Sequence, residues 1–292
     1  MNRCAAGIIV FNPNLERLKE NIDAIQNQVD ILYLYNNGTN DYDGLCKLLS
    51  NYSKVRLIGS GKNDGIPLAI NKMAYDAIKQ KMIWFLTLDQ DSICQDGMVQ
   101  QFLLYENYKN IGAICPLIVD RRRPQEIKPE NEIEEVDFCI TSGCFMNLNV
   151  FEKIHGMDEY LFIGLVDNEY SYRMILNGYK ILRINSVVLD HELGNISPSR
   201  FSHLFLKIGN LIHLKKIQAL SYKREVSPFR VYYATRNIIY LSEKYKNHPY
   251  KFSKMFAIVN GVSSILRSKQ KAKVTKAFFQ GMVDGFKYVQ ES

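Results

Sequence analysis

Two carboxylates one residue apart, Asp89 and Asp91 with Gln90 between them, directly follow the apolar run at residues 82–88. Hard oxygen ligands in that pattern suit Mg2+ or Mn2+ bridging a diphosphate. Such an ion would neutralise charge developing on a departing diphosphate. Taken alone, an acidic turn after a strand is more often solvated or caps a helix. A third carboxylate, Asp167, lies in Val166-Asp167-Asn168-Glu169, where the spacing predicts the start of a helix. There the helix dipole favours the ionised form, ready to accept a proton; the plainer role is an N-cap. Glu169 and Arg173 stand i, i+4 and would pair along the helix. His191, in Asp190-His191-Glu192-Leu193-Gly194, completes a metal site only if it faces Asp91; a lone histidine is more often structural.

A glycine loop, Gly59-Ser60-Gly61-Lys62-Asn63-Asp64-Gly65, falls between a predicted strand and a predicted helix, where phosphate-binding loops sit. It fails both familiar fingerprints. GxGxxG would need glycine at Asp64, and the P-loop would need Ser or Thr at Asn63. A nicotinamide oxidoreductase and a P-loop kinase are thereby disfavoured.

The elements that must position these groups follow from apolar periodicity. Apolar runs at 5–11, 31–35 and 82–88 read as strands, the first and last buried, and 55–58 (Val-Arg-Leu-Ile) reads as a further strand. Helical spacing occupies 15–28, 43–50 and 66–78 between them. This β-α-β-α-β-α-β order predicts an α/β fold: an open, mostly parallel sheet with helices on both faces. Ligands of such sheets bind beyond the carboxyl ends of the strands, where the loops at 36–41, 59–65 and 89–92 fall. Further along, 111–119 and 136–148 have strand character, 120–135 reads as an exposed charged loop, 167–177 as a helix and 180–190 as a strand. From about 200 onward the sequence reads as helices rich in Lys, Arg and Tyr.

The chain has 292 residues, a net charge of +7 and 47% hydrophobic residues, the composition of a globular protein with ample core. The charge is uneven. Residues 1–199 sum to −7, whereas 200–292 carry 18 basic and 4 acidic side chains and sum to +14. Two domains are expected on that boundary: a catalytic one and a basic helical region. Basic amphipathic stretches dock on anionic membrane surfaces, or simply pack as a helical subdomain or oligomer contact. No nucleic-acid motif accompanies the charge, so no nucleic-acid partner is expected. The six cysteines form no CxxC pair and read as buried thiols of a reducing compartment. No run of 18 or more apolar residues occurs, and the N-terminal apolar run is short for a signal peptide, so a cytoplasmic location is expected.

Taken together, the motifs resemble the GT-A-fold glycosyltransferases of family 2, most closely their bacterial rhamnosyltransferase-like branch. The matching text runs from Gly7-Ile8-Ile9-Val10-Phe11-Asn12-Pro13 and Tyr35-Asn36-Asn37-Gly38-Thr39 to Asn63-Asp64-Gly65-Ile66-Pro67-Leu68-Ala69-Ile70-Asn71 and Leu88-Asp89-Gln90-Asp91-Ser92. Thr141-Ser142-Gly143, Asp167-Asn168-Glu169, Gly178-Tyr179, His191-Glu192-Leu193-Gly194 and Tyr232-Tyr233-Ala234-Thr235-Arg236-Asn237 follow in family order. The resemblance covers roughly residues 5–240. It implies Asp167 as the base that deprotonates an acceptor hydroxyl. It implies Asp91, Asp89 and His191 around Mg2+ or Mn2+, with Asp89 also near the ribose. Asn12, Asn37, Asn63, Gly65 and Asn71 then fall at the nucleotide, and Gln90, Ser142 and Gly143 near the donor sugar and acceptor. Val166 departs from the family, which often has Glu there, but the second acid is kept. The implied reaction is inverting transfer from a nucleotide sugar, with dTDP-L-rhamnose nearest in likeness, to a polysaccharide or lipid-linked glycan at the inner face of the cell membrane. A UDP-hexose donor, a non-catalytic sugar-nucleotide or glycan binder, and a homo-oligomer stay open.

Overall fold

The computed structural model describes residues 3–119, 131–190, 196–198, 202–211, 222–224, 226–248 and 253–291. It divides into two compact units, Met1–His191 and Glu192–Ser292. The change in charge lies a few residues further on, at 199/200.

The first unit is built on one eight-stranded sheet. Its first strands are β1 (Cys4–Val10), β2 (Ile31–Asn36), β3 (Val55–Ile58) and β4 (Trp84–Asp89). They alternate with α1 (Leu15–Ile25), α2 (Tyr42–Leu49) and α3 (Ile66–Lys79). Then follow α4 (Met98–Leu103), β5 (Ile111–Val119), β6 (Ile133–Val136), β7 (Cys144–Asn147), α5 (Leu148–Lys153), α6 (Val166–Leu176) and β8 (Lys180–Asp190). The strand order is β3-β2-β1-β4-β7-β5-β8-β6. β3, β2, β1 and β4 run parallel, and β5 pairs parallel with β8. β7 is antiparallel to both β4 and β5, and β6 is antiparallel to β8. β1, β2 and β4 are buried almost throughout because helices cover both faces, which is why their sequences are unbroken apolar runs. Trp84 stacks on Phe145 at 4.9 Å, binding the antiparallel β7 into the same core.

Three expectations are corrected. The loop read at 120–135 overlaps a strand, because Ile133–Val136 adds to the edge of β8. The strand read at 136–148 shortens to Cys144–Asn147, since 137–143 forms the loop that carries Ser142. The helix 148–153 was not anticipated; Asn147 caps it, its side chain accepting from the N–H groups of Asn149 and Val150.

The second unit contains α7 (Ser202–Leu211), α8 (Pro228–Lys244), α9 (Lys254–Arg267) and α10 (Lys271–Glu291). It also has a two-stranded antiparallel ribbon, β9 (Ile196–Pro198) with β10 (Tyr222–Arg224), the second of which falls where the sequence suggested helices. A Cβ at Gly281 would lie 2.5 Å from the carbonyl oxygen of Tyr232, and one at Gly285 would lie 2.9 Å from that of Arg236. These two glycines, one helical turn apart, let α10 approach the backbone of α8. The Tyr232–Asn237 motif lies in α8 and is largely inward: Arg236 is buried, with its guanidinium over the Tyr233 ring at 4.7 Å.

Candidate active site

The carboxyl ends of β1, β2, β3 and β4 share one edge of the first unit, because the four strands are parallel. Their loops are sewn together by backbone and amide hydrogen bonds. Asn12, at positive φ, donates its N–H to the Gly38 carbonyl, and its side chain accepts from Asn40. Asn37 is buried; its side-chain Oδ1 accepts from the Asp64 N–H at 2.7 Å, and its Nδ2 donates to Asn63 Oδ1 at 3.1 Å. Asn63 Oδ1 also accepts from the Gly65 N–H. Asp64 accepts from the Tyr35 hydroxyl at 2.6 Å and from Ser60. Thus the loop 59–65 has a fixed shape. Gly65 enters α3 at φ +84°, and a Cβ there would meet the Phe162 ring at 2.6 Å, so glycine is required on both counts.

The 89–92 turn is held from behind. Asn21, buried on the apolar side of α1, donates to the Asp89 carbonyl at 2.8 Å. The Asp89 N–H donates to Ser142 Oγ at 3.2 Å, and Ser142 Oγ is 2.7 Å from Ser92 Oγ. Gly143, at φ +85°, gives its N–H to the Thr87 carbonyl at 2.7 Å and packs against Pro116 and Leu189. Ser142 and Gly143 are therefore brought to Asp89 by the β4–β7 pairing. Asn21 and Ser92 went unread in the sequence. Asn21 had a signal: a polar residue on the stripe formed by Leu18, Ile22 and Ile25.

Asp167 occupies the first turn of α6. Leu165 precedes it in the left-handed region at φ +63° and offers no side-chain cap, so the helix start rests on other contacts. Asp167 Oδ1 accepts from the Asn168 N–H at 3.0 Å. Burial pushes the Asp167 carboxyl up from 3.8 to about 6. The Asn168 hydrogen bond pulls against that shift, and Cys139 and, more weakly, Asp89 add to it. Asp89 and Asp167 therefore lie within electrostatic reach of each other, although 78 positions separate them in sequence. Two residues on, buried Glu169 receives both Arg173 Nε (2.8 Å) and a second guanidinium nitrogen (2.9 Å), as its spacing suggested. Arg173 also donates to the carbonyls of Ile154 and Gly156. That buried pair fixes α6 to the chain before it.

Two of the expected site residues have backbone partners of their own. The Gln90 carboxamide, expected near the donor sugar and acceptor, pairs twice with the Phe11 backbone, accepting from the N–H at 2.8 Å and donating to the carbonyl at 3.3 Å. Asn71 is expected at the nucleotide. It is buried, accepts from the Met157 N–H at 2.7 Å, and donates to the Met157 carbonyl and to Glu159. Its hydrogen bonds are spent anchoring the segment that leads into α6, which Gly65 and Ile66 grip again through Phe162. His191 lies outside the described residues.

Asp91 is exposed, and Arg17 reaches only its backbone carbonyl. Among the described residues no group of three or more His, Cys, Asp or Glu is arranged to hold a metal ion. The thiols of Cys139 and Cys144, 3.4 Å apart and both buried, are free.

No family model matches the chain. It is similar to a curated protein, dTDP-rhamnosyl transferase RfbF of Shigella flexneri: 27% identical over 305 residues, covering 97% of this chain and 95% of that one. It is also similar to the crystal structure of GalNAc-T7 with UDP, GalNAc and Mn2+, with a TM-score of 0.55 at 15% identity over 89% of this chain. The chain spans 57% of the length of that structure. The fold is that of GT-A glycosyltransferases, and the first relative agrees with the rhamnosyltransferase-like resemblance read from the motifs.

Proposed function

We propose that this protein is an inverting, metal-dependent glycosyltransferase that moves a sugar from a nucleoside diphosphate donor to a hydroxyl of a polysaccharide or lipid-linked oligosaccharide. Sugar transfer itself is supported by the relative's name and by the fold. The relative's name also favours dTDP-rhamnose as donor. The observation that carries the reading is Asp167: a partly buried carboxyl at about 6, within electrostatic reach of Asp89, on a helix clamped by the Glu169–Arg173 pair. A base with that value is ionised at neutral pH yet still takes a proton readily.

Asp167 accepts the proton of the acceptor hydroxyl as the acceptor oxygen bonds to the anomeric carbon. The bond from that carbon to the diphosphate oxygen breaks, and its electron pair leaves with the nucleoside diphosphate. This single displacement inverts the anomeric centre and needs no enzyme nucleophile. The fixed loops of Asn12, Asn37 and Asn63 and the glycine at Gly65 form a cradle for the nucleotide. Asp91, with Asp89, would hold Mg2+ or Mn2+. The donor set fits, because two hard carboxylates without a full protein cage leave room for diphosphate oxygens, the usual arrangement for Mg2+. When bound, the ion neutralises charge on the leaving diphosphate.

The test is transfer with Mn2+ present, comparing dTDP-rhamnose, UDP-glucose and UDP-galactose in wild type and in Asp167→Asn. Nucleotide release from dTDP-rhamnose, lost in the variant while donor binding persists, is the expected result. Full turnover by Asp167→Asn would remove the base. Donor binding without release by the wild type would make the protein a binder only.

A further inference from the structure

α9 and α10 turn an apolar surface outward. On α9, Met255 (66% exposed), Val259 (59%), Val262 (47%) and Leu266 (70%) face solvent. At 3.6 residues per turn these four lie within an arc of about 60°. The opposite side of α9 carries Ala257 and Gly261, both buried, and a Cβ at Gly261 would strike the Phe278 ring. The helix thus satisfies its inward face and has a second, outward one left over. On α10, Phe279, Val283 and Phe286 are likewise exposed. Lys254, at the start of α9, lies 5.4 Å from the Phe286 ring centre, so α10 runs alongside α9 there.

The charge around this surface has one sign. Residues 253–290 contain seven basic side chains and a single acid, Asp284. Asp284 is turned inward, accepting from the Tyr232 hydroxyl at 2.7 Å. Lys254 is neutralised by Glu243. Arg267, Lys269, Lys271, Lys273 and Lys276 are exposed and cluster where α9 ends and α10 begins, beside Leu266. No helix among the described residues is long and apolar enough to cross a membrane. An apolar stripe bordered by cations is the chemistry of a helix that lies in the interface of an anionic bilayer.

We propose that α9, with the adjoining face of α10, docks on anionic membrane lipid, Met255, Val259, Val262 and Leu266 entering the headgroup boundary while Arg267 and Lys269–Lys276 meet the headgroups. The inference goes beyond sugar transfer and is tested without donor or acceptor, so either can fail alone. The full-length protein is sedimented with phosphatidylcholine vesicles with and without phosphatidylglycerol. Binding to the anionic vesicles should be at least tenfold tighter than to neutral ones and should weaken with added salt. Replacing Lys269, Lys271 and Lys273 together by Gln should weaken it about a hundredfold, roughly fivefold per lysine. Val259→Asp with Leu266→Asp should weaken it at least tenfold while thermal melting stays unchanged, since both side chains are exposed. Equal binding to neutral and anionic vesicles, or none to either, overturns the proposal. So does a stable dimer that the double Asp variant converts to monomer, because a second copy would then cover the stripe.

Discussion

Two parts of the strand-end edge use polar side chains in opposite ways. Around loops 36–41 and 59–65, polar groups are spent on one another: Asn37 on Asn63 and Asp64, Asp64 on Tyr35 and Ser60. Around 89–92 and 166–169, the carboxylates are held by what lies behind them. Asp89 is fixed through its own backbone by Asn21 and Ser142, and Asp167 by the helix that Glu169 and Arg173 anchor. The first arrangement gives a rigid cradle. The second positions charge at a cost in stability, because a carboxyl raised from 3.8 to about 6 is destabilised in its ionised form. Rigidity and reactivity are therefore carried by different residues.

Asp167→Asn separates the two most sharply. Turnover should fall by about 10²–10⁴, the usual contribution of a general base. The wild-type kcat/KM should decline below about pH 6, as the base is protonated. The same substitution should stabilise the fold near neutrality by about 2–3 kcal/mol. The sign follows from linkage: the folded carboxyl binds its proton more tightly than the unfolded one. The stability advantage of the protonated form is present below 3.8 and is lost as pH rises through about 6. A melting curve that drops for Asp167→Asn at pH 7.5 would break the contrast.

Asp91→Asn comes next, with a loss of about 10² in Mn2+-supported turnover and little change in melting, since the side chain is exposed. Asn37→Ala should act on the other part. It leaves the Asp64 N–H without its acceptor, so melting should report a loss of about 1–3 kcal/mol, and donor KM should rise more than kcat falls. Smallest is Gln90→Ala, which removes two bonds to the Phe11 backbone and should cost about 1 kcal/mol, with turnover within threefold. A tenfold loss there would place Gln90 among the reacting groups.

The parallel core was legible because a strand covered on both faces has to be apolar throughout, as β1, β2 and β4 are; the bounds 55–58, 111–119 and 180–190 also agree to the residue. β6 was not, because Glu134 and Glu135 on an edge strand look like loop; they find Arg183 and Lys180 only once β8 is alongside. The carboxylates stood out by type. The hydrogen-bond partners of Asn71 and Gln90 did not, because a sequence shows that an amide is present but not which backbone it meets. Asn71 meets a segment 86 residues away, and Gln90 one that is 79 away.

The central claim is that Asp89 and Asp167 share one electrostatic environment in which Asp167 is a poised base. Carbon-13 NMR titration of the Asp167 carboxyl in wild type and in Asp89→Asn tests it most directly. A midpoint of about 6 in the wild type, shifted measurably lower in the variant, is the predicted result. A midpoint near 3.8 in both proteins would contradict it.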